Sequence, residues 1–201
     1  MEILVVLILL GAGLYVLRQR EQQRRIALLG HYLQPYQIER QMEQLLEGYL
    51  RWLDEDEPER RQQIRSMLGG VGQSLAQQFA RFAGDVQRME APLAQVSKLP
   101  LWLPFAQPLL PAWRLFDARR VFAVHARGIE ALAANAGQLA PKAQAYMMSA
   151  ELLLMQHTCH WFCRSKVVAS ARLLARHQTR YVQVLEAVSP ATRADYLALV
   201  R

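Results

Sequence analysis

The sequence predicts an all-α protein: an N-terminal transmembrane helix followed by an elongated antiparallel helical bundle with coiled-coil-like packing. Three observations carry that expectation. Ile3 to Leu17 (ILVVLILLGAGLYVL) is uncharged and is followed at once by Arg18, Arg20, Arg24 and Arg25. Beyond it, apolar residues recur at three- and four-residue steps, and no segment shows the strict alternation of a half-buried strand. Only one stretch, Leu99 to Phe116, is too rich in proline to be a regular helix.

The apolar run, counted from Met1, is just long enough to cross a bilayer. A spanning helix rises 1.5 Å per residue and needs about 20 apolar residues, about 17 at the least, and flanking arginines that snorkel extend its reach. A cleaved signal peptide has basic residues before its apolar core and a small-residue cleavage site after it, whereas Glu2 precedes this core and Arg18 follows it. A core helix of a soluble domain would show a polar face, and these positions have none. The arginine collar sets the orientation, because positive charge is retained on the cytoplasmic side. The expected location is therefore a bacterial inner membrane, crossed once. Residues 1–25 form the anchor with its basic collar, and residues 26–201 form a cytoplasmic helical bundle.

The chain has 201 residues, 52% of them hydrophobic, with a formal charge of +7 and a pI near 9.8. That length leaves one body domain of ordinary size with a real core. The charge suits anionic lipid as readily as nucleic acid. Cys159 and Cys163, the only cysteines, are four apart in a helical stretch, which does not suit a disulfide framework and agrees with a reducing compartment.

Taken in order, the anchor helix continues to about Gln34, where Pro35 ends it. Ile38, Met42, Leu45, Tyr49 and Trp52 then form one stripe of a second helix ending near Leu53. Asp54 to Glu59 (DEDEPE) reads as a turn and a helix start, since acids favour a helix N-terminus and proline is tolerated at its first position. A long third helix follows, with its stripe running from Ile64 through Leu75, Phe79, Phe82, Val86 and Leu93 to Val96, the rhythm of a coiled coil with a stutter. Gly69, Gly70 and Gly72 inside it imply a close helix approach, a bend or a break. A fourth helix is expected over about Ala112 to Ala136. A fifth runs from Pro141 to Val188, on the order of 70 Å if unbroken, with its two stripes slightly rotated as though coiled around a partner. Ser189-Pro190 caps a short terminal helix.

Helix lengths arrange these elements in space. If the chain to Leu53 leads away from the bilayer for about 50 Å and the third helix returns for about 55 to 60 Å, the proline loop at 99–112 comes back to the membrane. Trp102, Phe105 and Trp113 would then join the collar arginines at the lipid interface, where tryptophan is favoured. The acidic turn at Asp54 would mark the far end.

Few residues suggest chemistry. Cys159, His160 and Cys163 share one helical face next to His157, and are the candidates for a metal or haem site. Their spacing matches no standard metal knuckle and is not the Cys-x-x-Cys-His of haem attachment; a fourth ligand would have to come from His125 or His31. No metal or other cofactor is therefore expected. Nor is an enzyme, because no base, nucleophile and acid fall together and no phosphate-binding loop follows a strand. The basic row Arg172, Arg176 and Arg180 is a solvated face or a contact for anionic lipid headgroups. Nucleic acid is not an expected partner, since stacking aromatics and a recognised module are lacking.

The expected role is a non-catalytic scaffold or accessory subunit that holds a protein partner, or further copies of itself, at the membrane through its long helices. The rival readings are a redox subunit using the Cys159/His160/Cys163 face and a lipid- or quinone-binding bundle with the proline and tryptophan segment as its mouth.

Overall fold

The computed structural model describes residues 1–201, and it is all-helical apart from one two-stranded ribbon. Helix α1 (Glu2–Leu33) is continuous from the apolar run through the collar and stops just short of Pro35. Its residues 2–20 are exposed throughout, and none of its most apolar window is buried. It is long and apolar enough to cross a membrane, and it lacks the burial of a core helix.

The body is built from helices that reverse direction in turn. Helix α2 (Ile38–Asp54) and helix α3 (Pro58–Val86) form a hairpin, in which Gln41 Nε2 donates to Ser74 Oγ (2.8 Å) and Tyr36 Oη to Asp85 Oδ2 (2.6 Å). Pro58 occupies the first turn of α3, where its missing N–H costs nothing. At Gly48 a Cβ would lie 2.3 Å from Leu68 Cδ2, so a hydrogen there lets the Leu68 side chain lie against α2.

Three elements differ from the sequence expectation. Helix α3 ends at Val86, and the stripe expected to reach Val96 ends with it. Pro92 is the cause: its ring would collide with the carbonyl four residues earlier. The chain instead makes a short turn, α4 (Ala91–Ala94), and then strand β1 (Gln95–Ser97). The turn α5 (Ala106–Leu109) and a 3-10 turn at Ala112–Arg114 follow. Strand β2 (Leu115–Asp117) then pairs antiparallel with β1, Val96 opposite Phe116. Helix α6 (Ala118–Ala133) starts six residues later than expected, because the Asp117 side chain accepts from the Arg119 N–H (2.9 Å) and fixes the helix start there.

The expected fifth helix is three helices: α7 (Pro141–Cys163), α8 (Lys166–His177) and α9 (Tyr181–Ala187), followed by α10 (Pro190–Val200). Ser165 caps α8, and Gln178 leaves it in the left-handed region at φ 51°. The rotated stripes thus belong to separate helices, with α8 folded back on α7. At the glycine trio there is neither a break nor a close approach: α3 runs unbroken through it, and no heavy atom of a neighbour lies within 4 Å of a Cβ built at Gly69, Gly70 or Gly72.

The core joins α3, α6 and α7. Phe79, Phe82 and Phe122 are wholly buried, and the Phe82 and Phe122 rings meet edge to face with centroids 5.3 Å apart. Helix α7 buries Leu152, Leu154, Met155, Trp161 and Phe162 together with polar Glu151, His157 and Thr158.

Candidate functional site: the collar pocket and the basic groove

The C-terminal half of α1 lies antiparallel to α7, and its inner face carries polar groups. Gln22 is buried, and Arg164 Nη1 donates to its Oε1 (3.4 Å). Arg25 is turned into the body. Its guanidinium donates to the Phe162 carbonyl (3.2 Å) at the end of α7 and to the Gln95 carbonyl (3.2 Å) of β1, and pairs with Glu21 (3.3 Å). A cation on the last carbonyls of a helix complements its dipole. Arg25 is therefore not part of the outward collar: with its side chain 15% exposed, it clasps anchor to body. Arg18, Arg20 and Arg24 are exposed and take part in none of the ion pairs.

The proline loop packs against this same part of α1. Trp102 Nε1 donates to Glu21 Oε2 (3.0 Å), Gln107 Nε2 to the Pro92 carbonyl (2.8 Å), and the Val167 N–H to the Pro100 carbonyl (3.1 Å). Trp102 and Arg25 thus share one end of the body. Between α1 and the loop lies a cavity of about 550 Å³ whose walls include Leu17, Arg20, Arg24, Trp102 and Phe105. Phe105 sits at φ 54°, a left-handed backbone that holds its ring 62% exposed beside the cavity. Leu101, Leu109 and Trp113 of the same loop are also exposed; Trp113 lies outside the cavity, with the Arg114 guanidinium 4.2 Å over its ring.

A second cavity, about 490 Å³, opens between α1, α2, α7 and α8. It unites residues that the sequence kept apart: Cys159, His160 and Cys163 of α7 with Arg172 and Arg176 of α8, and with Arg164 between the two helices. Arg172 Nη1 lies 3.3 Å from His160 Nδ1, and Arg176 pairs with Glu43 of α2. Leu29 and Leu33 of α1, Met42 of α2 and Met155 of α7 supply the apolar side. Arg180 is elsewhere, at the start of α9.

The arginines of this groove repel a cation and its two thiols are held protonated, while the His160 ring is held neutral. Burial, and then Arg172, Arg164 and Arg176, lower the His160 imidazole to about 4. Burial raises the Cys163 thiol to about 11 and the Cys159 thiol well above its ordinary range. Cys159 Sγ contacts Met155 Sδ at 3.9 Å. The supplementary ligands are out of reach: His31 is exposed beside Tyr32, and His125 is wholly buried with Nε2 2.8 Å from Thr158 Oγ1. No three His, Cys, Asp or Glu side chains gather as a ligand set. His157 is also engaged, 3.0 Å from Ser170 Oγ and stacked on Tyr181 at 4.4 Å.

Sequence reasoning missed Glu21 and Gln22. The available signal was their place, as two polar residues inside the collar. No family model, curated protein or solved structure matches the chain.

Proposed function

We propose that the protein is a single-span membrane scaffold or accessory subunit, non-catalytic, which presents its helical body to a partner protein at a fixed pose on the cytoplasmic face of a bacterial inner membrane. The observation that carries this reading is the continuity of α1: one helix, without a linker, carries both the exposed apolar run and the buried clasp of Gln22, Arg25 and Leu29. A tether that only localises a domain needs no such coupling, whereas a platform that must hold a partner in register does. The positive collar supports the cytoplasmic orientation, and the exposed Leu101, Phe105, Leu109 and Trp113 beside it support a body resting on the lipid surface.

The test separates tethering from coupling. A flexible glycine-serine segment inserted after Arg18 keeps the span and the body but breaks the rod. Native gels of crosslinked membranes should show the wild-type chain in a defined larger complex, and the insertion variant membrane-bound but released from it. Wild-type protein running as a monomer after crosslinking, or an insertion variant that retains the complex, overturns the proposal.

A further inference from the structure

We propose that the groove between α1, α2, α7 and α8 binds an amphiphilic anion, a carboxylate or phosphate head on an apolar chain. The head would lie against Arg164, Arg172 and His160, with the chain along Leu29, Leu33, Met42 and Met155. This goes beyond the scaffold role and does not depend on it.

Four observations converge. The cavity, about 490 Å³, falls within the ordinary range for small-molecule sites. Its apolar side is built from helix faces, so it persists without a ligand to shape it. Its cations outnumber its acids: Arg164, Arg172 and Arg176 face Glu39 and Glu43, and of these only Arg176 and Glu43 form an ion pair. Arg164 and Arg172 are bound instead to the neutral partners Gln22 and His160, which leaves their charge available to an anion. Planar guanidinium groups recognise carboxylate and phosphate through paired hydrogen bonds.

Selectivity follows from that lining. An uncharged amphiphile would leave Arg164 and Arg172 facing an apolar ligand, and a small anion would leave the leucine and methionine wall in water. Only a molecule with both parts satisfies both sides. An anion in place would also favour the protonated form of His160, opposing the surrounding arginines. The titratable and charged groups around that imidazole are His157, Cys159, Cys163 and Arg164 on its own chain segment, Arg172, Arg176 and His177 from α8, and Glu39 and Glu43 from α2.

The two native cysteines lie in the groove, so the full chain supplies its own footprint. Protein in phosphatidylcholine nanodiscs would be alkylated with N-ethylmaleimide, with intact and peptide mass read for Cys163, in the presence of oleate, oleyl alcohol or inorganic phosphate. Oleate should slow Cys163 alkylation saturably, while oleyl alcohol and inorganic phosphate at equal activity should not. The R172Q variant should weaken the oleate effect about tenfold when each protein is read against its own ligand-free rate, which in R172Q is itself slower because Arg172 lowers the Cys163 thiol. In the same samples, the His160 imidazole resonance should titrate at higher pH with oleate than without. Equal protection by oleyl alcohol, protection by inorganic phosphate, undiminished protection in R172Q, or no protection by any probe would each overturn the proposal.

Discussion

Trp102 Nε1 donates a 3.0 Å hydrogen bond to Glu21 Oε2, joining two residues 81 positions apart and pinning the proline loop to the helix whose apolar half is long enough to cross a membrane. Replacing Trp102 with Phe keeps an aromatic ring and removes the donor. Such a loss costs about 1 kcal/mol, or somewhat more because the acceptor is charged. The expected result is a loosened loop in an intact body: faster tryptic cleavage at exposed Arg114, with little change in the melting temperature.

Arg25 and Arg24 are adjacent in sequence and opposite in role. Arg25→Ala removes hydrogen bonds to two backbone carbonyls and an ion pair, and should destabilise the body by about 2–4 kcal/mol. Arg24→Ala, at an exposed site, should change stability by less than about 0.5 kcal/mol. Thermal melts of the two variants in the same detergent check the contrast.

Two glycine-to-alanine changes should move stability in opposite directions. At Gly128 a Cβ would lie 2.4 Å from Thr192 Oγ1 and 2.8 Å from Glu151 Oε2, so Gly128→Ala should cost about 1–3 kcal/mol through overpacking. At Gly70 nothing lies within 4 Å, and Gly70→Ala inside α3 should gain about 0.5–1 kcal/mol. Both values are readable from denaturant unfolding midpoints.

Acid should weaken the fold well before the carboxylates titrate. Burial lowers both His125 and His157 from 6.5 to about 3, so the folded state holds them neutral while the unfolded chain binds a proton near 6.5. Stability from these two groups is complete above that value and is lost as pH falls toward 3. At about pH 5 the cost is on the order of 2 kcal/mol for each histidine. Glu151 acts in the other direction, its carboxyl raised by burial, so its contribution grows as pH falls and offsets part of the loss. Melting temperatures should fall steadily from pH 7 to pH 5, and His157→Gln should flatten the slope.

The loop's placement predicts a depth order for the tryptophans. In variants that keep a single tryptophan, brominated lipid should quench Trp113, which is 65% exposed on the proline loop, and should spare Trp52, buried near the far end of α2. Equal quenching of the two would remove the loop from the lipid surface.

Much of the architecture was legible in the sequence, because long helices leave long periodic records. The α1 and α2 boundaries, the Pro58 start and the return of the loop to the collar all follow from apolar spacing, proline chemistry and helix rise. What escaped was punctuation. Pro92 lay inside a stripe whose rhythm continued on both sides of it, and Val96 kept that rhythm by coincidence while belonging to a strand. Asp117 and Ser165 are ordinary caps set in stretches whose apolar spacing continues on both sides, so periodicity alone ran through them. The basic groove was half visible: Arg172 and Arg176 could be read as a row, but meeting Cys159 and His160 requires α8 to fold back on α7. Reading the two as one straight helix had excluded that meeting.

Helix α1 is one 32-residue rod, roughly 48 Å long, so if its apolar run crosses a bilayer, the angle of that run is also the angle of the body. The run from Ile3 to Leu17 is roughly 22 Å long, shorter than a hydrocarbon layer of about 30 Å. Such a helix would stand nearly upright, with the layer thinning locally or the flanking arginines reaching outward to meet it. The clasp at Arg25 would pass that upright attitude to the body and fix the height at which the aromatic loop sits.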